Sequence, residues 1–307
     1  MRYTANVRNV TTSFVLLLTL SGAFHAFAWS SAGHEVIAAE AWRELSPQTR
    51  AKVTEVLKAH PDYEKWESLF KGDSANLDLA AFAFMRASTW PDQIRRHGNK
   101  YDHPSWHYID YPLRPPSFSL EPGPSPDNDI LYGVQRCETL LGDLKTSAEE
   151  RAVYLSWLLH LVGDIHQPLH CGSLFSETYP TGDRGGNLFY VKPASRGISL
   201  HSLWDGLLGK SGKSQTHLNY AIRLQSEHAK SSLKEIRTAT SPKAWSLESR
   251  ALAIDKAYLR GQLNGSVNPE DAPPPPVGYT KIAKEIAERQ AALAGYRLAD
   301  EIRALLK

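Results

Sequence analysis

Four side chains that bind metals or transfer protons lie close together in one apolar segment of the chain. His160, Asp164, His166 and His170 fall within eleven residues, and a helix would place His160 and Asp164, which are four apart, on one face. Segment 153–162 is apolar nearly all round, which predicts a buried helix. A buried His or Asp carries a large desolvation cost unless it is paired or bound to a metal. The segment therefore predicts a chemical site inside a helical core.

Length and charge limit the classes of protein that this chain can belong to. Its 307 residues suffice for one large domain or two small ones, and 42% hydrophobic with 22% charged residues fits a globular protein. The formal net charge is only +2, so the chain lacks a general basic surface for gripping duplex nucleic acid. Any nucleic-acid contact would be local or led by a metal.

The first residues form a targeting segment. Two arginines precede an apolar run at 14–20, and the Ala-Phe-Ala triplet at 26–28 matches a cleavage site for signal peptidase. The run is too short to span a bilayer comfortably, although an uncleaved membrane anchor is the alternative. We expect cleavage after Ala28, which gives a secreted or periplasmic protein that begins at Trp29 and has no stable membrane anchor.

The two cysteines leave a choice open. Cys137 and Cys171 are the only cysteines in the chain. An exported protein permits a disulfide, but two residues do not make a disulfide framework. A bridge and two free thiols are both compatible with the sequence, because the sequence does not supply the geometry.

Residues 29–307 predict a single all-α domain with a few short strands and loops. Ser147 and Glu150 form a capping box for the central helix, which must break near Pro168. Extended pieces are expected at 106–111 and 187–191. Helices are expected at 31–45, 46–59, 77–88, 129–144, 147–167, 202–208, 217–235, 241–258 and 280–306.

Further candidate metal ligands are scattered along the chain. His201 and Asp205 repeat the four-residue spacing, and His34, Asp92 and His107 stand in separate segments. Zinc sites use such imidazole nitrogens and carboxylate oxygens, and catalytic sites leave one position for water. Taken singly, each of these residues also fits an ordinary core or surface position.

Other histidines are not expected to bind metal. His166 projects to a different side of the helix from Asp164, which indicates packing or support of the ligands rather than ligation. We expect His60, His97, His103, His217 and His228 to be solvated or to lie in loops.

Signal cleavage would give Trp29 a special role. An α-amino group has a pKa near 7.7–8.0, which is low enough for a metal to displace its proton. The amino nitrogen and the carbonyl oxygen of Trp29 can close a five-membered chelate on one cation, and His34 follows five residues later. The alternative is an ordinary frayed terminus.

In this order, the motifs resemble those of the zinc-dependent single-strand nucleases and 3′-nucleotidases of fungi, plants and bacteria, which are related to bacterial zinc phospholipase C. The resemblance covers the chain from Trp29 to the final helix. It rests on Trp29 with Gly33-His34, Ala87-Ser-Thr-Trp-Pro-Asp92, Trp106-His-Tyr-Ile-Asp110, His160 to His170, Gly185-Gly-Asn187 and His201-x-x-Trp-Asp205.

The resemblance implies three zinc ions (Zn²⁺) per chain in one cleft. The implied ligands are imidazoles, carboxylates and the freed amino terminus. The first ion would take Asp92, His107, His160 and Asp164; the second, bridged by Asp164, would take His34 and the nitrogen and carbonyl of Trp29; the third would take His170, His201 and Asp205.

The resemblance also implies a substrate and a reaction. Tyr108 would stack on a base, Asp110 would hydrogen-bond the edge of that base, and Asn187 would lie near the scissile phosphate. With Asp92 and Asp164 as the other catalytic residues, metal-activated hydroxide would hydrolyse single-stranded DNA or RNA to 5′-mononucleotides and remove phosphate from 3′-nucleotides. No protein partner is implied, and a monomer is expected. His166 and Tyr108 depart from the residues common in the family.

Two other functions compete with this interpretation. A phospholipase C-like enzyme would use similar metals, but that relative typically closes its third site with Glu where this chain has Asp205. A non-catalytic metal-binding protein predicts fully coordinated metals with no open position. Haem binding is a third alternative, and it is disfavoured because the sequence lacks a Cys-x-x-Cys-His motif.

Overall fold

The computed structural model describes residues 29–72, 77–95, 98–114, 127–210 and 212–306. The predicted signal peptide at 1–28 and His97 lie outside the described residues. The described part is a mainly helical single domain with four short strands, which confirms the predicted fold class. One large hydrophobic core, which contains residues from Trp29 to Leu306, runs through it.

We number the helices and strands of the described segments in chain order. The α-helices are α1 (Ser31–Glu44), α2 (Pro47–Leu57), α3 (Tyr63–Leu69), α4 (Leu79–Ala87), α5 (Trp90–Ile94), α6 (Ile130–Gly142), α7 (Ala148–Asp164), α8 (Leu200–Asp205), α9 (Ser214–Glu227), α10 (Glu235–Thr238), α11 (Pro242–Leu252) and α12 (Tyr279–Leu305). The strands are β1 (Pro112–Leu113), β2 (Ser173–Leu174), β3 (Tyr190–Val191) and β4 (Ile198–Ser199).

Helix α7 is the central element of the core. The Ser147 hydroxyl accepts from the Glu150 backbone N–H at 3.3 Å and donates to the Glu150 carboxylate at 2.7 Å, so the capping box predicted from sequence is confirmed. From position 155 to Asp164 every residue of α7 is buried. Helices α1, α2, α5, α6 and α12 pack around it. Beyond α7, Pro168 begins a short 3-10 helix, Pro168–Cys171.

The first helix carries the amino-terminal part of the site into the core. The Ser30 hydroxyl caps α1 by accepting from the Gly33 N–H, and α1 packs against α4, α7, α9 and α12. Trp29 is fully buried, and its indole N–H donates to the carbonyl of Gly163 on α7 at 3.0 Å. The residue at the predicted cleavage point is therefore part of the core.

Two small sheets tie distant segments together near the end of α7. β1 pairs with β2 in parallel, with Pro112 opposite Ser173, and β3 pairs with β4 antiparallel, with Tyr190 opposite Ser199. Just before the first pair, the Ile109 N–H donates to the carbonyl of His170 at 2.8 Å. These contacts bring the segment around His107 alongside the segment around His170.

Some predicted elements differ from the structure. The helix expected at 217–235 starts at Ser214 and ends at Glu227, where His228 leaves the helical conformation with φ −125° and ψ 62°. Glu235 begins the separate helix α10 and pairs with Arg289 of α12 at 2.8 Å. The extended piece expected at 106–111 begins inside a 3-10 helix, Pro104–His107, since proline suits its first position. Helix α11 ends early and continues as a π turn, Ala253–Ala257. Helices α3 and α5 were not predicted.

Two of the histidines that were expected to be solvated or to lie in loops are buried. His60 lies in the loop between α2 and α3, where it stacks on the Trp66 ring with centroids 4.4 Å apart. His217 lies inside α9, with Nδ1 2.7 Å from a carboxylate oxygen of Glu35, so the prediction for His217 was wrong. It becomes a core residue because the carboxylate compensates for the lost water.

The two cysteines are separate thiols. Cys137 lies on α6 and Cys171 ends the 3-10 helix after α7, and both are buried and free. Burial raises the pKa of each thiol well above its ordinary value, so both stay protonated at neutral pH. Within the described residues, none of the helices has the length and apolar character needed to cross a lipid bilayer.

Candidate metal centre

Three groups of His and Asp side chains in the described part of the chain are arranged to hold metal ions. In each group the potential ligand atoms lie within 4.8 Å of one another, and the residues are buried or nearly so. The groups are His34, Asp92 and His160; His107, His160 and Asp164; and His170, His201 and Asp205. Every side chain predicted as a ligand from sequence belongs to one of them.

Two helical spacings supply four of these residues. His160 and Asp164 end α7, and His201 and Asp205 lie on α8, each pair four residues apart and therefore on one helix face. The remaining side chains of the three groups come from the first turn of α1, from α5 and from the two 3-10 helices that precede β1 and β2: His34, Asp92, His107 and His170.

The carboxylate of Asp164 lies at the centre of the first two groups. Its Oδ2 is 3.1 Å from His107 Nδ1 and 3.2 Å from His160 Nε2, while its Oδ1 is 3.3 Å from His34 Nε2. Asp92 Oδ1 completes the ring at 3.9 Å from both His107 and His160. Oδ1 of Asp164 thus faces His34, and Oδ2 faces His107 and His160. A carboxylate that bridges two cations has this arrangement.

The third group adjoins the first two. His201 Nε2 lies 3.5 Å from Asp205 Oδ2, and His170 Nε2 lies 4.0 Å from Asp205 Oδ1. The Gln167 side chain donates to Asp205 Oδ1 at 2.8 Å and accepts from the Leu169 N–H, which orients the carboxylate. The backbone carbonyl of Asp205 accepts from the Ser30 N–H at 3.1 Å, so this group also contacts the start of the described chain.

Backbone carbonyls orient three of the imidazoles. Nδ1 of His160 lies 2.8 Å from the carbonyl of Ser88, Nδ1 of His170 lies 2.6 Å from that of His107, and Nδ1 of His201 lies 2.7 Å from that of Gly185. A ring that donates from Nδ1 keeps its proton there and directs the Nε2 lone pair into the centre. Supports of this kind surround metal-binding histidines in proteins.

The electrostatics suit cations. Burial lowers the pKa of His34, of His170 and of His107, the last to about 4, so these rings are neutral, as metal ligation requires. Burial alone would raise the pKa of Asp164, but the positive charge of His160, whose own pKa the acidic neighbours raise, and hydrogen bonds from His107 and His160 outweigh it, so the pKa of Asp164 lies well below its usual range. Burial raises the pKa of Asp205 well above its usual range, despite the hydrogen bond from Gln167.

Unpartnered atoms provide a test of whether the residues fit metals. Among the described residues, neither ring nitrogen of His34 has a hydrogen-bond partner, and the same holds for Asp164 Oδ1 and His170 Nε2. Buried polar atoms without a partner are costly. Around a tetrahedral zinc, ligand atoms are about 3.3 Å apart, close to the separations of 3.0 to 3.9 Å seen here. The residues therefore fit divalent cations.

A glycine makes room for His34 in this centre. A Cβ added at Gly163 would lie 2.9 Å from Nδ1 and 3.1 Å from Cε1 of the His34 ring. The Gly163 carbonyl also accepts the Trp29 indole, so one residue of α7 positions both the first residue after the predicted cleavage point and the first histidine. Sequence analysis missed the roles of Gly163 and Gln167, although both stand inside the His160–His170 motif.

The residues predicted to contact substrate lie in segments next to this centre. Tyr108 directly follows His107, Asp110 lies three residues after it, and both are partly exposed. Burial and the charge of Asp110 raise the pKa of Tyr108, whereas the nearby charges of Arg95 and Arg184 lower it. Asn187 donates through its side-chain amide to the Arg184 carbonyl at 2.7 Å. Its turn reaches the third group, because the His201 N–H donates to the carbonyl of Gly186.

His166 lies apart from the three groups. Its Nδ1 lies 2.7 Å from the carbonyl of Val162, and its Nε2 lies 2.8 Å from an Arg297 guanidinium nitrogen. The ring packs against Trp245 with centroids 5.5 Å apart. The arginine and the tryptophan hold this imidazole in the core, on a different side of the chain from Asp164.

Substituting Gly163→Ala is expected to displace His34 and to reduce the metal bound per chain. The added methyl group meets the imidazole at 2.9 Å, and a well-packed core resists such overpacking at a cost of about 1–3 kcal/mol. Elemental analysis and thermal unfolding would measure both effects. Gly142→Ala is the matched control, because a Cβ there meets no atom within 4 Å among the described residues. Full metal content in Gly163→Ala would contradict this role.

Comparison with known proteins agrees with this geometry. A family model described as S1/P1 Nuclease matches residues 29–307. Endonuclease 4 of Arabidopsis thaliana is 26% identical over 297 residues, which cover 89% of this chain and 88% of that protein. Nuclease S1 of Aspergillus oryzae (strain ATCC 42149 / RIB 40) is 24% identical over 229 residues, covering 72% and 67%, and Nuclease P1 of Penicillium citrinum is 26% identical over 180 residues, covering 58% and 57%. The resemblance inferred from the motifs is confirmed: the chain belongs to the S1/P1 nuclease family.

Proposed function

We propose that this chain is an exported zinc-dependent phosphodiesterase that hydrolyses single-stranded DNA and RNA to 5′-mononucleotides and removes phosphate from 3′-nucleotides. The observation that carries the proposal is the position of Asp164, whose two carboxylate oxygens face different histidines, beside a further group that contains Asp205. Two or three cations held this closely suit displacement at phosphorus. Membership of a nuclease family supports nucleic acid as the substrate.

Zinc is the cation that fits the donor atoms. The groups combine imidazole nitrogens with carboxylate oxygens, whereas calcium and magnesium prefer oxygen alone. We assign three ions. The proposed ligands are Asp92, His107, His160 and Asp164 for the first; His34, Asp164 and the amino nitrogen and carbonyl of Trp29 for the second; and His170, His201 and Asp205 for the third.

The proposed roles of the residues follow from their positions. When bound, zinc ions at these residues would lower the pKa of a water molecule and offset negative charge on the phosphate. Asp164 is fully buried and would hold two of the ions in place. The Asp92 side chain is 11% exposed and borders the space through which water and substrate would enter. Asn187 would donate its amide to a phosphate oxygen.

A base pocket accounts for the preference for single strands. Tyr108 offers an aromatic ring on which an unstacked base can lie, and Asp110 offers a carboxyl group to the edge of that base. In a duplex the face of a base is stacked on its neighbours and its edge is paired, so the base would have to be extruded first. The charges of Arg95 and Arg184 near Tyr108 suit the adjoining phosphates.

We also propose that residues 1–28 are a signal peptide and that residues 29–307 form the mature nuclease domain, which is secreted or periplasmic and acts as a monomer. The family match begins at Trp29, and Trp29 lies buried beside Gly163 and His34. Mass spectrometry of the exported protein would identify the amino-terminal residue, and a size measurement in solution would give the oligomeric state.

Asp164→Asn tests the central role of this carboxylate. The change removes the negative charge between His34, His107 and His160. Substituting a residue that only hydrogen-bonds a metal ligand lowers activity by roughly ten- to a hundredfold, so the rate of hydrolysis of a single-stranded oligonucleotide by Asp164→Asn should fall by more than that. Zinc content and melting temperature should fall with it, since bound ions stabilise the folded state. Asp143→Asn, at the exposed end of α6, is the matched control. Wild-type activity in a chelator-treated protein, or in Asp164→Asn, would refute the proposal.

Extra residues retained ahead of Trp29 should lower the number of zinc ions bound per chain. An amide nitrogen in a peptide bond lacks the lone pair that a free amino group offers a cation. Elemental analysis of chains that begin at Trp29 and of chains with a short amino-terminal extension would measure the difference. A carboxy-terminal extension of equal length is the control. Equal zinc counts in the two preparations would remove the amino terminus from the site.

Base preference is expected to depend on pH through Asp110. Burial and the charge of Asp183 raise the pKa of Asp110 to about 6. Above that pH the carboxylate accepts from the two N–H groups of a guanine edge, whereas below it the neutral carboxyl donates to a ring nitrogen of adenine. The kcat/KM for guanosine 3′-phosphate divided by that for adenosine 3′-phosphate should therefore rise by roughly tenfold from pH 5 to pH 7, which is the effect of one strong hydrogen bond.

The ratio of the two kcat/KM values isolates the titration of Asp110, because any pH dependence of the metal centre affects both substrates equally. In Asp110→Asn the amide does not titrate, so the ratio should no longer vary with pH. A flat profile in the wild type, or an unchanged slope in Asp110→Asn, would exclude Asp110 as the base-reading residue.

A further inference from the structure

A second pocket lies at the outer ends of β1 and β2, and the residues that line it do not include a proposed metal ligand. Its volume is about 960 Å³, which is at the upper end of the range for ligand pockets. Its walls come from β1, from β2, from the end of α11 with the π turn, and from the loop at 258–267. We call it the arginine pocket, after Arg114, Arg250 and Arg260 in its lining.

Positive charge dominates the lining of the arginine pocket. Against its three arginines the described lining holds one carboxylate, Asp255. The Arg260 guanidinium donates to Asp255 at 2.9 Å, but the two side chains are 73% and 41% exposed, so water screens this ion pair and it contributes little. Guanidinium groups bind phosphate through two parallel hydrogen bonds. The pocket therefore suits an anionic ligand with more than one phosphate.

Basic side chains also connect this pocket to the base-reading residues. The Arg250 guanidinium lies 5.9 Å from the centroid of the Tyr111 ring. Lys243 Nζ lies 4.7 Å from the same centroid and donates to the Tyr111 hydroxyl at 2.6 Å. Tyr111 directly follows Asp110. The positive charge thus continues from the proposed base pocket to the arginine pocket.

The path between the two pockets is short. The Ile109 N–H donates to the carbonyl of His170, and four residues further the Leu113 carbonyl accepts from the Phe175 N–H at 2.8 Å. At about 3.3 Å per residue, four extended residues would cover at most roughly 13 Å, and a turn in which the Tyr111 N–H donates to the Ile109 carbonyl shortens this distance. A stacked single strand at about 3.4 Å per nucleotide covers that length with about four nucleotides. A substrate held at Tyr108 would therefore reach the arginine pocket within a few nucleotides.

The rim of the pocket is held in a costly backbone conformation. Leu259 and Arg260 have φ angles of 49° and 57°, in the left-handed region that side chains other than glycine rarely adopt. Tyr258 secures this turn, because its carbonyl accepts from the N–H groups of Gly261 and Leu263 and its hydroxyl donates to buried Asp183 at 2.6 Å. Strain of this kind concentrates at functional sites.

We propose that the arginine pocket is a subsite for single-stranded nucleic acid, which binds the nucleotides that lie beyond the base held by Tyr108 and Asp110. Backbone phosphates contact Arg114, Arg250 and Arg260, and the apolar walls at Leu113 and Leu174 accept the sugars and bases. The subsite adds affinity for a strand and none for a mononucleotide. The inference rests on the proposed function, since it assumes that a strand occupies the base pocket.

The test combines three substitutions in the zinc-loaded protein: Arg114→Gln, Arg250→Gln and Arg260→Gln. The KM for a single-stranded oligonucleotide of about twenty nucleotides should rise at least about tenfold. The slope of log affinity against log salt should fall by about two, because each phosphate contact with a single strand contributes about 0.7. Kinetics with a 3′-mononucleotide should not change. Arg136→Gln, at an exposed arginine of α6 outside the lining of the arginine pocket, is the charge-matched control for the single variant Arg114→Gln.

A binding measurement separates this inference from the proposed function. Fluorescence anisotropy with a phosphorothioate oligonucleotide reports affinity whether or not the protein cleaves it. If the wild type cleaves nothing but binds the strand through the three arginines, the proposed function fails and the subsite stands. Equal oligonucleotide affinity and salt slope in wild type and triple variant would overturn the subsite, as would a defect confined to binding of phosphatidylserine vesicles. The single variant Arg114→Gln serves if the triple variant unfolds.

Discussion

The burial of one carboxylate among imidazoles is the constraint on which the rest of the structure depends. Asp164 lies at the end of α7 with no exposure, within 3.3 Å of nitrogens from His34, His107 and His160. Such a cluster is stable only if its unpaired atoms find partners, and divalent cations are the partners that fit. The helices are arranged accordingly: α1 begins beside this carboxylate, two 3-10 helices end near it, and Gly163 keeps the space beside it open.

The same interior explains how a mainly helical domain brings the proposed ligands together. These residues lie where helices begin or end, so their polar side chains point towards each other while the flanking turns complete the core. The β1–β2 pair leads away from the ligands towards the arginine pocket, and the turn that holds Asp183 contacts both regions, since its Gly185 carbonyl supports His201 and Asp183 accepts from Tyr258. The proposed metal centre and the proposed strand subsite thus share one continuous scaffold.

Local patterns predicted much of the fold and the His and Asp side chains that the structure brings together in three groups. The capping box at Ser147, the proline after Ser46 and the four-residue spacing of His160 with Asp164 act through neighbours in the chain, so they are legible without tertiary structure. Failures occurred where distant groups decide. The helix expected to reach 235 ends at Glu227, and Glu235 instead begins α10 and pairs with Arg289 of α12. His217 is buried against Glu35, which is 182 residues away in the chain.

By itself the sequence determined the helical class, the residue types that can ligate a cation, and the family, because periodicity, capping and ordered motifs are local properties. Only the tertiary structure decided that Asp164 faces one oxygen towards His34 and the other towards His107 and His160, that Gln167 supports Asp205, and that three arginines meet in one pocket. These facts depend on the packing of segments that are distant in the chain, some of them more than a hundred residues apart. Packing is settled by the shape and burial of the whole core.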